Sequence, residues 1–161
     1  MMAEENLYFP VFINLKGKKI VVIGAGNIAQ RRIMSLLDFG CDITVIALDC
    51  CENIKRLYDE GRIMFEKRAY DAADTEGAFF VLAATDDHDL NKKIHDDCKR
   101  KGIAVNVSTD KSLCDFYFPG IVKRESLVVG FSSSGKTHKK AKLIRQAAEE
   151  AIDRVLEEDA K

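Results

Sequence analysis

Lys19-Ile20-Val21-Val22-Ile23-Gly24-Ala25-Gly26-Asn27-Ile28-Ala29 is the stretch on which the reading of this chain turns. A short β-branched run is followed at once by a glycine turn, and apolar residues then recur at helical spacing from Ile28 to Phe39. The order is strand, tight turn, helix. Glycines at positions 24 and 26 permit a sharp turn and close backbone approach, so that a pyrophosphate can rest on the N-terminus of the following helix. Ala29 stands where a third small residue is needed for packing between helix and sheet. The glycines alone would fit an ordinary turn, but the strand before and the helix after give them the nucleotide-binding reading.

Outward from this unit the same rhythm continues. Gly40 stops the helix and Asp42 to Ala47 supplies a second buried strand, which completes a βαβ unit of roughly 30 residues. A helix over Glu52 to Glu60, a strand near Ile63 to Glu66 and a loop from Tyr70 to Asp74 follow. Phe79 to Ala84 is apolar throughout, as a central parallel strand covered on both faces requires. A helix over Asp89 to Lys101 ends at Gly102, and Ile103 to Val107 is a further buried strand. This alternation specifies an α/β fold, a Rossmann-type doubly wound parallel sheet. After Val107 the rhythm changes: Phe116 to Pro119 and Glu125 to Phe131 read as strands, and Lys139 to Leu156 as an amphipathic helix. Two strands and a helix bury little by themselves. The expectation is an NAD(P)-binding domain over residues 1–110, followed by a small α+β segment over 111–161 that contributes to substrate binding and forms a homodimer.

Composition narrows the function classes. The chain has 161 residues, 47% hydrophobic and 32% charged, with a formal net charge of -1. That suits a globular enzyme or binding module and argues against a nucleic-acid binder, which shows a basic excess. No apolar run has the length of a membrane span, and the acidic start Met1-Met2-Ala3-Glu4-Glu5 lacks the basic region of a secretory signal, so the expected address is the cytoplasm. There, Cys41, Cys50, Cys51, Cys98 and Cys114 are expected to be reduced thiols. The pair Cys50-Cys51 and the scattered His88, His95 and His138 lack metal-ligand spacing, so no metal site is expected.

Three constellations carry chemistry. In the first, the glycine turn, the ribose-binding acid is due about 20 residues beyond the glycines, near Ala47. The nearest acid is Asp49, and with no arginine there NAD is preferred over NADP. The second is Ala83-Ala84-Thr85-Asp86-Asp87-His88-Asp89-Leu90-Asn91, where a buried strand reaches the carboxyl edge of the sheet. Thr85 and Asp86 are candidates for cofactor binding and also for a helix N-terminal capping box. Asn106, on the next strand, joins the cofactor set. The third, Gly130-Phe131-Ser132-Ser133-Ser134-Gly135-Lys136-Thr137, matches the phosphate-binding P-loop letter for letter. Too little chain follows it to supply the remaining strands and the magnesium-holding acid of a nucleotide hydrolase. The milder reading is anion binding, for instance of a substrate carboxylate, by backbone amides and Lys136 beside His138.

Taken in order, these motifs resemble the precorrin-2 dehydrogenase family, which includes the dehydrogenase domain of siroheme synthase. The resemblance covers about residues 8–150, from Tyr8-Phe9-Pro10-Val11-Phe12 through Gly24 to Arg32, Ala83 to Asp87 and Val105-Asn106-Val107, then Cys114 to Pro119 and the serine loop. It implies oxidation of precorrin-2 to sirohydrochlorin with NAD, and in some relatives insertion of ferrous iron into the product. By match of motif, Asn27, Ile28, Leu48 and Asp49 would contact the dinucleotide. Ser133 falls at a family serine near the tetrapyrrole, with Ser132, Ser134, Gly135, Lys136 and His138 beside it. Lys123, Arg124, Lys139 and Lys140 add positive charge for a substrate with many carboxylates. Relatives have an aspartate, the proposed base, where this chain has Thr109. Either the adjacent Asp110 takes over that role or base catalysis is weakened, since a threonine hydroxyl is no comparable base near neutral pH. Many relatives continue into a further helical domain where this sequence stops at Lys161, and the expectation is either that substrate closure or chelation is impaired or that another chain supplies that wall. The rival from another class is a redox-silent NAD-binding regulatory module, which explains the glycine turn but gives the later motifs no role.

Overall fold

The structure is a computed structural model and describes residues 8–134 and 137–159. They fall into two compact units, one spanning Val11–Phe116 and the other made of residues 8–10 and 117–159. In the first, strands β1 (Lys19–Ile23), β2 (Asp42–Ala47), β3 (Met64–Lys67), β4 (Phe80–Ala83) and β5 (Ala104–Val107) alternate with helices α1 (Asn27–Leu36), α2 (Glu52–Asp59) and α3 (His88–Arg100). All pairings in the sheet are parallel, in the order β3-β2-β1-β4-β5. The Rossmann-type fold expected from the alternation is therefore present. β1 lies at its centre with β4 beside it, and Val21, Val22, Val81 and Leu82 are fully buried, which is why those strands read as unbroken apolar runs.

The helices cover the sheet through stripes at helical spacing. α1 buries Ala29, Ile33 and Leu36, α2 buries Ile54 and Leu57, and α3 buries Asn91, Ile94, Asp97 and Cys98. Val21, Ile23, Val81, Ala83, Ile94, Cys98, Val105 and Val107 belong to one packed cluster. Most element limits lie within a residue of expectation. The helix after the glycine turn closes earlier, with a 3-10 turn over Leu37–Phe39, and the loop expected at Tyr70 to Asp74 contains a 3-10 turn over Ala72–Thr75 capped by Asp71.

In the second unit, β6 (Gly120–Arg124) and β7 (Leu127–Phe131) form an antiparallel hairpin, accompanied by helix α4 (His138–Asp159). The expected strand over Phe116 to Pro119 is absent and the ladder starts after it. Pro119 lacks the N–H that a strand interior needs, so pairing begins at Gly120 opposite Phe131. Arg124, expected to face substrate carboxylates, is drawn inward instead. Its Nε donates to Asp153 Oδ1 at 2.7 Å and its Nη2 to Glu149 Oε1 at 3.1 Å, both on α4. Those acids face it once the helix turns toward the hairpin, and they hold the guanidinium well above its ordinary pKa. No helix among the described residues is long and apolar enough to cross a membrane.

Candidate functional site

The chain crosses to opposite sides of β1 for its two neighbours, β2 and β4, and this switch opens a crevice at the carboxyl ends of the strands. Gly24 sits at its base. Its N–H donates to Ile46 O at 2.9 Å, continuing the ladder past β1, while its φ of +101° turns the chain away from the sheet. A Cβ at this position would lie 2.5 Å from Ala84 O, so β1 and β4 approach as closely as they do only because position 24 has no side chain. Gly26 has a different task. As the N-cap of α1 it has ordinary extended backbone (φ -82°, ψ -171°), and a Cβ there would meet nothing within 4 Å. The first turn of α1 carries no acidic residue, and the first helical bond runs from Gln30 N–H to Gly26 O. The N–H groups of Asn27, Ile28 and Ala29 thus precede the ladder at the positive end of the helix, as an anion requires. Asn27 and Ile28 are exposed there, whereas Ala29 is buried against the sheet.

The turn after β2 closes against this cradle. Cys51 N–H donates to Ala25 O at 3.4 Å and Cys51 Sγ to Gln30 Oε1 at 3.2 Å. Leu48 and Asp49 project from the same turn, Leu48 being 71% exposed, and Lys67 Nζ stands 3.5 Å from Asp49 Oδ1. Burial and the nearby Asp49 carboxylate push the Cys50 thiol up from its usual pKa, so it remains protonated at neutral pH. The cradle, Leu48 and Asp49 therefore come together at one edge of the sheet.

The other half of the edge comes from the exits of β4 and β5. Ser108 N–H donates to Ala83 O at 2.9 Å, adding one rung beyond β5. Thr85 accepts from Asp87 N–H at 3.2 Å, and Asp87, rather than Thr85 or Asp86, caps α3 by accepting from Leu90 N–H at 3.0 Å. The capping box expected at Thr85 and Asp86 is thus displaced because Thr85 is already turned into the loop. Asp110 is exposed and caps a 3-10 turn over Lys111–Leu113, with its Oδ1 accepting from Ser112 N–H at 2.8 Å and from Ser112 Oγ at 2.7 Å. The Ser112 hydroxyl and then its N–H hold the carboxyl below the usual carboxylate range. Asp110 is ionised across the neutral range, and because these bonds favour its charged form it is a weaker base than a solvated carboxylate.

Asn106 is buried at 2% exposure, and its carboxamide is turned into the protein. Its Nδ2 donates to Phe116 O at 2.6 Å, and its Oδ1 accepts from Arg32 on α1. Arg32 is itself half-buried, and that burial lowers its pKa. Ser108 Oγ is also buried and has no hydrogen-bond partner among the described residues. A buried hydroxyl without a partner costs about 1–3 kcal/mol. Ser108→Ala is therefore expected to raise stability by about 1 kcal/mol in urea unfolding, and a loss of stability would refute that account.

Of the substrate-binding candidates in the second unit, Ser132 is exposed, while Ser133 and Ser134 are half-buried. Ser132 Oγ accepts from Ser134 N–H at 3.2 Å and Ser133 Oγ from Thr137 N–H at 3.3 Å. Gly135, Lys136 and the side chain of His138 lie outside the described residues. Among the described residues β7, which leads into this loop, has only antiparallel β6 as a sheet neighbour. A P-loop instead follows a strand of a parallel sheet.

Asn91 was not among the expected site residues. It is fully buried, and its carboxamide bonds Thr85 and Thr109 across the edge. A signal existed: Asn91, Ile94 and Cys98 share the i, i+3, i+7 spacing of a buried stripe, where an asparagine must find partners.

A parallel sheet in this order, with a glycine cradle at its switch point, defines a dinucleotide-binding domain. A protein-family model of NAD(P)-binding domains matches residues 11–120, and the chain belongs to that family. Siroheme synthase from Pseudoalteromonas atlantica is 37% identical over 145 residues, which is 90% of this chain and 31% of that protein. A multifunctional siroheme biosynthesis protein HemA from Ruminiclostridium josui is 36% identical over 152 residues, 92% of this chain and 29% of that protein. The chain thus spans about 30% of the length of the curated relatives it matches. Among solved structures, SirC, a precorrin-2 dehydrogenase, superposes with a TM-score of 0.76 at 26% identity, covering 89% of this chain and 71% of that one.

Proposed function

We propose that this chain is an NAD-dependent precorrin-2 dehydrogenase, removing a hydride and a proton from precorrin-2 to give sirohydrochlorin. The observation that carries the reading is the cradle itself: an open Gly26 at the N-terminus of α1, free of acids in its first turn, beside Asp49 at the end of β2. These residues fit a dinucleotide, and the similarity to siroheme synthases and to SirC directs the substrate choice. The nicotinamide, when bound, accepts the hydride. Asn27 and Ile28 offer backbone N–H groups to the pyrophosphate. The Asp49 carboxylate accepts from a ribose hydroxyl and repels a 2′-phosphate, which favours NAD, although Lys67 at 3.5 Å offsets part of its charge.

In this reading Thr85 and Asp86 border the cofactor, Asp110 takes up the proton released on oxidation, and the serine loop holds substrate carboxylates together with Lys136 and His138. Iron insertion would require the pyrrole nitrogens to be deprotonated, a harder task for a carboxylate held by Ser112, so the reading stops at dehydrogenation. α4 exposes Leu143, Ile144 and Val155 at 56%, 60% and 58%, a surface suited to a second copy in a homodimer. A cytoplasmic address accords with the reduced cofactor pool that the reaction feeds.

The test is anaerobic turnover of precorrin-2 with NAD, followed by sirohydrochlorin absorbance, with wild type beside Asp110→Ala. We expect product from wild type and a loss of about 100-fold or more in the variant, the range of a general base. Wild type that binds NAD tightly but leaves precorrin-2 unchanged would remove the dehydrogenase reading and favour a redox-silent NAD-binding module.

A further inference from the structure

We propose that Asn91 is a positioning residue of this reaction, a clamp that ties the loop leaving β4 to the loop leaving β5 and so sets where Thr109 and Asp110 stand. The inference rests on the dehydrogenase reading above. Asn91 is 0% exposed, and its carboxamide has two hydrogen-bonding positions on oxygen and two on nitrogen. All four are used. Oδ1 accepts from Thr85 Oγ1 at 2.8 Å and from Thr85 N–H at 3.3 Å. Nδ2 donates to Thr85 O at 2.9 Å and to Thr109 Oγ1 at 3.1 Å.

Three of these bonds join the first turn of α3 to Thr85 in the loop that leaves β4 and fix its shape. The fourth leaves that loop and grips Thr109, one residue beyond the last rung of the sheet, where Ser108 N–H meets Ala83 O. Asp110 follows at once, its carboxylate held from the other side by Ser112. Asp110 thus follows one anchored residue, Thr109 held by Asn91, and is itself held by another, Ser112. Local needs do not account for this fourth bond, since the Thr85 contacts alone would satisfy most of a buried carboxamide. Its effect is to carry the position of the cradle, through Gly24 against Ala84 and then Thr85, into the loop that bears the proposed base. A displacement of about 1 Å in such a group can cost 100-fold in rate.

Thr109→Val keeps the shape of a half-buried residue and removes the hydroxyl that accepts from Asn91, whereas Thr109→Ser keeps that hydroxyl. In Thr109→Val we expect kcat to fall about 10- to 100-fold and KM for NAD to change less than about threefold, with Thr109→Ser restoring kcat to near wild type. Asn91→Leu, which also removes the three bonds to Thr85, should lose at least as much kcat where it folds, and the double variant should be no slower than Asn91→Leu alone, because that change already removes the bond Thr109→Val breaks. A second readout does not depend on turnover: amide hydrogen exchange over residues 108–112 should accelerate at least about tenfold in Thr109→Val, with α3 protected as in wild type. Wild-type kcat or wild-type exchange in Thr109→Val overturns the clamp while leaving the dehydrogenase reading intact. Wild type inactive on precorrin-2 overturns that reading, and the inference falls with it.

Discussion

Gly24→Ala is expected to lower stability by about 3–5 kcal/mol and to weaken NAD binding at least 100-fold, measured by urea unfolding and titration calorimetry. Two costs meet at this position. The backbone φ of +101° lies in a region that side chains disfavour, and the new methyl would stand 2.5 Å from Ala84 O, 2.7 Å from Ala84 C and 2.9 Å from Thr85 N. All three atoms are backbone, so no flexible side chain can move aside. The surrounding chain is also held, since Ala84 N–H bonds Ile23 O at 2.8 Å and Gly24 N–H bonds Ile46 O at 2.9 Å. Relief therefore means parting β1 from β4 at the crevice or swinging α1 away from it, and either opens the cradle. Gly26→Ala provides the contrast. With ordinary φ and ψ and no atom within 4 Å of its Cβ, it should fold within about 1 kcal/mol of wild type yet bind NAD more weakly, because the methyl occupies the approach to the helix N-terminus. A Gly24→Ala protein as stable as wild type would show that the close approach of the two strands does not limit this residue.

The second large effect falls on Asn106. Asn106→Leu replaces a buried carboxamide with a side chain of similar size and removes one hydrogen bond each from the Phe116 carbonyl and the guanidinium of half-buried Arg32. Losing a buried partner costs about 1–3 kcal/mol, and more where the group is charged. We expect a loss of about 3 kcal/mol and a fall in Tm of roughly 10 °C without any cofactor present. If Asn106 acted only on the dinucleotide, the unliganded variant would melt with wild type and differ only in NAD affinity. Calorimetry of the two proteins without NAD separates these roles.

The fold was legible because its signals are short-range. Central strands covered on both faces must be apolar throughout, helices that cover a sheet must carry a stripe, and a turn that lets β1 approach β4 must lack a side chain. Each requirement is written within a few consecutive residues, as in Lys19 to Ala29. The segment after Val107 was less legible because an antiparallel hairpin can start at any of several residues. Pro119 decided the outcome, since it can follow a loop but cannot sit inside the ladder. Arg124 misled for a related reason. In a list of basic residues it reads as a surface charge, and its partners Glu149 and Asp153 are assigned only when α4 lies along the hairpin.

By itself, then, the sequence determined the strand and helix alternation, the glycine cradle and the position of Asp49 near the end of β2, because these depend on backbone freedom and on periodicity over a few residues. The tertiary structure decided which side chains complete the edge. Asn91 meets Thr109 across 18 residues, Arg124 meets Asp153 across 29, and Arg32 meets Asn106 across 74. No spacing encodes such pairs, because a buried polar group is satisfied by whichever neighbour the packing of strands and helices delivers to it.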